Sequence, residues 1–181
     1  MAETDIAQTT AGEADITDYS VQSEILDEAN DTKETYYSQD KWSEFFGYYK
    51  HIPELAAAVD ARATWTVGKG FLADPQTTLI LDMIKGWGKD SFNTILENMI
   101  RTMYIGGDAF AEIIRDEQSR KPINLKPMNP ERVRIVANKK GLIIRYEELG
   151  NQKQPVNQFK PEEIFHLSRN RVANEIHGQS I

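Results

Sequence analysis

The stretch Ser91-Phe-Asn-Thr-Ile-Leu-Glu-Asn-Met-Ile-Arg-Thr-Met-Tyr-Ile-Gly-Gly-Asp108-Ala-Phe-Ala-Glu-Ile-Ile-Arg115 changes its hydrophobic period in the middle. Phe92, Ile95, Leu96, Met99 and Met103 recur every three or four residues, which is one stripe of an α-helix, with Asp90 or Ser91 as a cap and Gly106-Gly107 as the stop. From Asp108 the period drops to two: Phe110, Glu112 and Ile114 alternate with Ala111, Ile113 and Arg115, the pattern of a β-strand. A helix runs directly into a strand, and the chain divides at that joint.

Upstream, the reading is helical. Trp42, Phe45, Phe46, Tyr48 and Tyr49 form a short aromatic amphipathic stretch that ends near Pro53. Pro53 suits the first turn of the next helix, where its missing N–H has no intrahelical partner. That helix runs to about Thr66, with Gly68-Lys-Gly70 as its stop, and after a linker over 71–76 a further helix is predicted at 77–87. Downstream, the period stays at two. Ile123-Asn-Leu125, Val133 to Ile135, Leu142 to Glu147 and Ile164 to Leu167 read as strands, Asn138-Lys-Lys-Gly141 as a hairpin turn, and 149–158 as a polar loop. Helices followed by an antiparallel meander predict an α+β fold rather than a doubly wound parallel sheet.

The chain has 181 residues, 40% of them hydrophobic, which fits one domain with a tail. No run approaches the length of a membrane span, and the acidic start MAETDIAQTTAGEADITD is unlike a secretory signal. The expectation is a soluble, unexported protein with no membrane partner. There is no cysteine and there are three histidines, so disulfides, thiolate nucleophiles and Cys-type zinc sites are excluded. The net charge of −7 is unevenly spread. Residues 1–40 hold eleven acids and one lysine, whereas 41–181 hold 17 acids and 20 bases. Residues 1–40 are therefore expected to form a largely disordered acidic arm, whose Val21, Ile25, Leu26, Tyr36 and Tyr37 can order on a neighbour. Removing 1–38 should then cost the body little. The remaining divisions are a helical part at 41–107, an antiparallel β part at 108–168 and a loop at 169–181.

Several motifs invite a chemical reading and have a plainer one beside it. Gly68-Lys-Gly70, Gly86-Trp-Gly88 and Gly106-Gly107-Asp108 lack the spacing and the strand-to-helix setting of nucleotide loops, and read as helix ends. Glu162 and His166 would share a face on a helix, but on a strand they stand about 13 Å apart, so His166 reads as a partly buried structural histidine with a backbone partner. His51 and His177 have no partner constellation that spacing supports. Asp108, Glu112 and Asp116 fall on one strand face, which reads as a solvated edge, the alternative being a pair of acids in a hydrolytic cleft. The segment 120–145 carries eight Lys/Arg against Glu131 alone. Arg132, Arg134, Lys139 and Lys140 within it are the candidate phosphate or intersubunit contacts, although the aromatics that would stack on single-stranded bases are scarce there. No catalytic, metal or cofactor-binding residue is assigned, and no cofactor is expected.

Four segments in order resemble the portal proteins of tailed bacteriophages. They are Gly107-Asp-Ala-Phe-Ala-Glu-Ile-Ile-Arg-Asp116, Ile123-Asn-Leu-Lys-Pro-Met-Asn-Pro-Glu-Arg-Val-Arg-Ile135, Phe159-Lys-Pro-Glu-Glu-Ile-Phe-His-Leu167 and His177-Gly-Gln-Ser-Ile181, with a turn and a strand through Tyr146 after the second. The resemblance covers about 45–181. It implies the N-terminal half of a portal wing, with a stem helix, clip and crown to follow in a longer chain. It further implies a non-enzymatic subunit of a ring, usually of twelve copies, at one capsid vertex. Double-stranded DNA would pass through that ring, and terminase, the major capsid protein and a head-tail adaptor would be its partners. Its location would be the virion, and the host cytoplasm during assembly.

Overall fold

The computed structural model describes residues 34–180. The segment 1–33, with Val21, Ile25 and Leu26, lies outside the described residues. The α+β class expected from the sequence is what forms: four helices and then antiparallel sheets.

Helix α1 (Trp42–His51) passes through Ile52 straight into α2 (Pro53–Val67), with Pro53 in the first turn. Helix α3 (Pro75–Met83) starts before the expected Thr77, because Asp74 caps it by accepting from the N–H groups of Gln76 and Thr77. It also stops short of Trp87. Ile84 turns inward to 3% exposure, and the Asn124 side chain takes both the N–H and the C=O of Gly86 at 2.8 Å, which holds the chain in a corner. Helix α4 (Phe92–Gly106) carries the expected Ser91 cap as a reciprocal capping box with Thr94. Gly107, at φ 88°, supplies the left-handed turn that sends the chain into β2 (Asp108–Arg115).

The strands make two sheets rather than one continuous meander. Strand β2 is the centre of the first, flanked by β3 (Pro122–Met128) and β7 (Ile164–Ser168). The second runs in the order β1 (Thr35–Ser38), β4 (Val133–Ala137), β5 (Ile143–Leu149), β6 (Pro155–Phe159). The chain changes sheets through Asn129 and a single 3₁₀ turn at Pro130–Arg132. Two expectations are corrected here. The end of the acidic arm is ordered: Thr35 to Ser38 pair with Ala137 to Arg134, and Tyr37 packs on the core. The polar loop expected at 149–158 contains β6, whose first four residues are exposed; an edge strand with no buried face leaves no apolar alternation to read.

Alternation along β2 assigns the layers. Ala109 and Ala111 face Ile95 and Met99 of α4, together with Ile84, Leu125 and the partly buried Leu81 of α3. Phe110 faces the other way, onto Val133, Ile135 and Tyr146 of the second sheet and onto Ile164 and Ile176. The small alanines let α4 lie close to the sheet, and the central sheet is covered on both sides. A third cluster of Trp42, Val59 and Ile105 ties α1 and α2 to the end of α4.

Candidate functional site

The strongest concentration of buried polar chemistry is at the joint between α4 and β2. Asp108 is the first residue of β2, and its side chain is 0% exposed. Its Oδ1 accepts from His166 Nε2 at 3.1 Å and from the Gly178 N–H at 3.0 Å, and its Oδ2 accepts from His177 Nδ1 at 2.7 Å. His166 comes from β7, where it stands opposite Phe110 and stacks on that ring at 4.4 Å between centroids. Its Nδ1 lies 3.2 Å from the Tyr146 hydroxyl of β5. One carboxylate thus joins the helix-strand joint, both sheets and the segment after β7. Burial alone would raise the Asp108 carboxyl, but the hydrogen bonds and charges of His166 and His177 outweigh it and hold it below its ordinary value.

Backbone geometry closes the same joint. The Arg169 N–H donates to Gly107 C=O at 2.9 Å, and the Gln179 N–H donates to Arg169 C=O at 2.8 Å. Gly107 and Gly178 pass so closely that a Cβ on either would overlap the other's carbonyl oxygen. Glycine at both positions is what permits the 169–180 segment to cross the joint backbone to backbone.

Three readings from the sequence change here. Asp108 is not on a solvated edge: its strand face is the interior one, covered by the second sheet and by 169–180. Glu112, on the same face, meets Lys126 at 3.4 Å, and Asp116 is used in its own turn by Ser119, so the acids share no cleft. His166 is partly buried as expected, but its partners are the Asp108 and Tyr146 side chains rather than backbone. His177 was missed altogether: it sits 69 residues from Asp108, a separation at which no local spacing gives a signal. Its Nε2 is buried without a hydrogen-bond partner among the described residues. His51 is exposed at the end of α1. Among the described residues no group of three or more His, Cys, Asp or Glu is placed to hold a metal ion.

The basic strip is spread over both sheets, and much of it is paired. Arg134 donates to Glu147 Oε2 at 2.6 and 3.0 Å, while Arg145 reaches Glu147 at 2.7 Å and grips both oxygens of Glu34 at 2.5 Å. Burial would raise the Glu147 carboxyl, and the two guanidiniums more than reverse this. The hydrogen bond from Arg145 lowers Glu34, and Arg145 itself is pushed up by both acids. Arg134 also lies 4.7 Å over the Tyr36 ring. Arg132 donates to the Asn151 side chain at 3.1 Å. Lys139 and Lys140 occupy the hairpin tip, where Asn138 accepts from the Lys140 and Leu142 N–H groups. The four candidate contacts do not converge: Arg134 is inside an ion-pair network, and the lysines are at a turn. No helix of the described residues is long and apolar enough to cross a membrane.

No family model and no curated protein matches this chain. Solved structures do. A chain in the neck of a native gene transfer agent particle, computed with C12 symmetry, superposes with a TM-score of 0.68 at 16% identity, over 82% of this chain and 41% of that one. A chain in the neck of the empty particle, computed with C6 symmetry, gives 0.66 at 16% identity over 81% and 41%. A chain in the virion of the native particle gives 0.64 at 16% identity over 77% and 38%. This chain therefore spans about two fifths of the length of the structures it matches, and at this identity the likeness is one of fold.

Proposed function

We propose that this chain is the wing portion of a portal-type subunit, a non-enzymatic structural component of the head-tail connector of a phage-like particle. The observation that carries the reading is the shared fold over 82% of the chain with a chain of a particle neck computed with C12 symmetry. The four segments that resemble portal proteins fall on the strands and the crossing that build this fold, namely β2, β3 with β4, β7, and the segment through Gly178. In this reading copies associate head to tail into a closed ring of about a dozen, as heterologous contacts do when the rotation closes. Double-stranded DNA passes through the ring, with terminase, the major capsid protein and a head-tail adaptor as partners, in the virion and, during assembly, in the host cytoplasm.

The Asp108 cluster supports a structural role, since His166, His177 and the Gly178 N–H tie β7 and the segment after it to the head of β2. The paired state of Lys126, Arg134 and Arg145 supports a wall rather than a phosphate grip, because a channel that lets DNA slide must not bind its backbone tightly. The test is native mass spectrometry with negative-stain imaging of the protein expressed from its full reading frame. Closed rings of about a dozen copies are expected. A protein that stays monomeric at micromolar concentration and shows no ring overturns the proposal. Tight, salt-sensitive duplex binding by the monomer would favour a nucleic-acid-binding module built on 120–145.

A further inference from the structure

We propose that the second sheet continues from copy to copy around the ring, with β6 of one copy pairing along β1 of the next. Among the described residues β1 and β6 are the two ends of that sheet, and neither has a second strand partner. Every neighbouring pair in the order β1-β4-β5-β6 is antiparallel, so the two edges also run antiparallel to each other. A closed ring of twelve copies turns each one by about 30° relative to the last, which leaves strand directions nearly unchanged. The β1 of the next copy therefore arrives at β6 antiparallel, the more stable of the two ladders.

The first sheet lacks this complementarity. Strands β3 and β7 both run antiparallel to β2, and hence parallel to each other, and Pro122 and Pro127 leave β3 without two of its N–H groups.

Side chains select the same two edges and their register. Natural edge strands are guarded by charge, lysine above all, but Thr35-Tyr-Tyr-Ser38 and Val156-Asn-Gln-Phe159 carry none. Tyr37 and Phe159 lie on the core face of the sheet. By alternation Tyr36 and Val156 lie on its outer face, where they are 51% and 67% exposed. Full overlap of the two runs sets Thr35 opposite Phe159, Tyr36 opposite Gln158, Tyr37 opposite Asn157 and Ser38 opposite Val156, and this register matches face to face. A slip by one residue would turn Tyr36 toward the core side. In the matched register Tyr36 and Val156 become diagonal neighbours on the outer face, and Tyr37 and Phe159 on the core face, within reach of aromatic side chains. Pairing thus covers the apolar side chains that each edge alone leaves in water.

The charges at the ends of the runs do not oppose the pairing. Glu34, already held by Arg145, falls opposite Lys160, and Asp40, which meets Lys153 of its own chain at 3.1 Å, falls opposite the neutral Gln154. Beyond these positions the chain leaves the sheet, into α1 on one side and the β5–β6 turn on the other. A ladder of four residues a side is far smaller than a complete protein interface, so it sets the register between copies and leaves most of the contact to other surfaces. The inference rests on the ring reading for its neighbour.

The absence of cysteine makes trapping clean. In protein expressed from the full reading frame and carrying both Ser38→Cys and Val156→Cys, the two thiols of one chain stand three strand spacings apart, about 14 Å. A disulfide spans no more than about 7 Å between Cα atoms, so any bond joins two copies. Mild oxidation and a non-reducing gel are expected to show a ladder of covalent oligomers reaching about a dozen copies. It should form at least tenfold faster than in a control with Ser38→Cys and Gln118→Cys, the latter in the exposed β2–β3 turn. A ladder no faster than the control overturns the inference. So do dimers of the Val156→Cys single variant that form as fast as the ladder, since β6 would then pair with β6 about a two-fold axis. Negative stain of the same samples separates the two proposals. Rings without the ladder remove the shared sheet and leave the ring, while a ladder in open chains without rings keeps the shared sheet and removes the ring.

Discussion

Replacing Asp108 tests the joint most directly. The carboxylate is fully buried and accepts three hydrogen bonds, two from imidazoles and one from the Gly178 backbone. Hydrogen bonds to a charged group contribute about 1.5–3 kcal/mol each, and their sum is not additive. Asp108→Asn keeps the shape, but its NH₂ must face at least one donor, so one or two of the three bonds are lost, about 2–4 kcal/mol. Asp108→Ala leaves all three donors without their buried partner, about 3–5 kcal/mol. At about 2–4 °C per kcal/mol for a body of this size, these correspond to falls of about 4–16 °C and about 6–20 °C in the melting temperature. The pH dependence has a fixed sign. Because the folded-state value of Asp108 is depressed, its contribution is present above the unfolded carboxyl value, about 4, and is lost as pH falls through the lower folded value. Thermal melts of wild type and Asp108→Asn should therefore differ fully at pH 7 and converge in strong acid. A shift below 1 °C at pH 7, or a gap that widens on acidification, would refute the reasoning.

Removing residues 1–33 should leave the melting temperature within about 2 °C, whereas removing 1–38 should lower it by about 5 °C or more, since β1, the Glu34 to Arg145 pair and Tyr37 go with it; equal melts for the two would mean β1 adds nothing. Gly178→Ala should cost about 2 kcal/mol or more, because a Cβ there meets the Gly107 carbonyl and the Arg169 backbone, and denaturant titration with an unchanged midpoint would contradict the crossing. His166→Gln should retain the fold at a cost of about 1–3 kcal/mol, and added Zn²⁺ should not raise the wild-type melting temperature; a metal-dependent rise absent from the variant would reveal an ion site at Asp108.

The helix-strand joint was legible because both of its signals are local: the Ser91 cap and the four-residue stripe on one side, alternation on the other. Asp74 and Pro75 are an equally local start signal for α3, hidden here by assigning them to a linker. The division into two sheets was not legible, because β3 and β4 look alike by period and only the turn at 130–132 decides which partner each takes. Strand β1 has just four residues inside a segment dominated by carboxylates, and composition outvoted them. The Asp108 cluster was half legible: alternation placed the residue on the Phe110 face, but whether that face is wet depends on a second sheet and on a segment that returns from 60 residues away. His177 belongs to that returning segment.

The crossing of Gly107 and Gly178 also sets how the molecule carries tension. A pull on the chain beyond Gly178 meets the Gln179 N–H bond to Arg169, the Arg169 N–H bond to Gly107, and the His177 and Gly178 bonds to Asp108 within a few peptide units. All but the first of these bonds end on two consecutive residues at the head of the central strand, Gly107 and Asp108, so a load is delivered to the junction of α4 and β2 as well as to the end of β7. The segment is thus fastened to the joint between the helical layer and the central sheet, as a tendon is to bone, and not to the sheet edge alone.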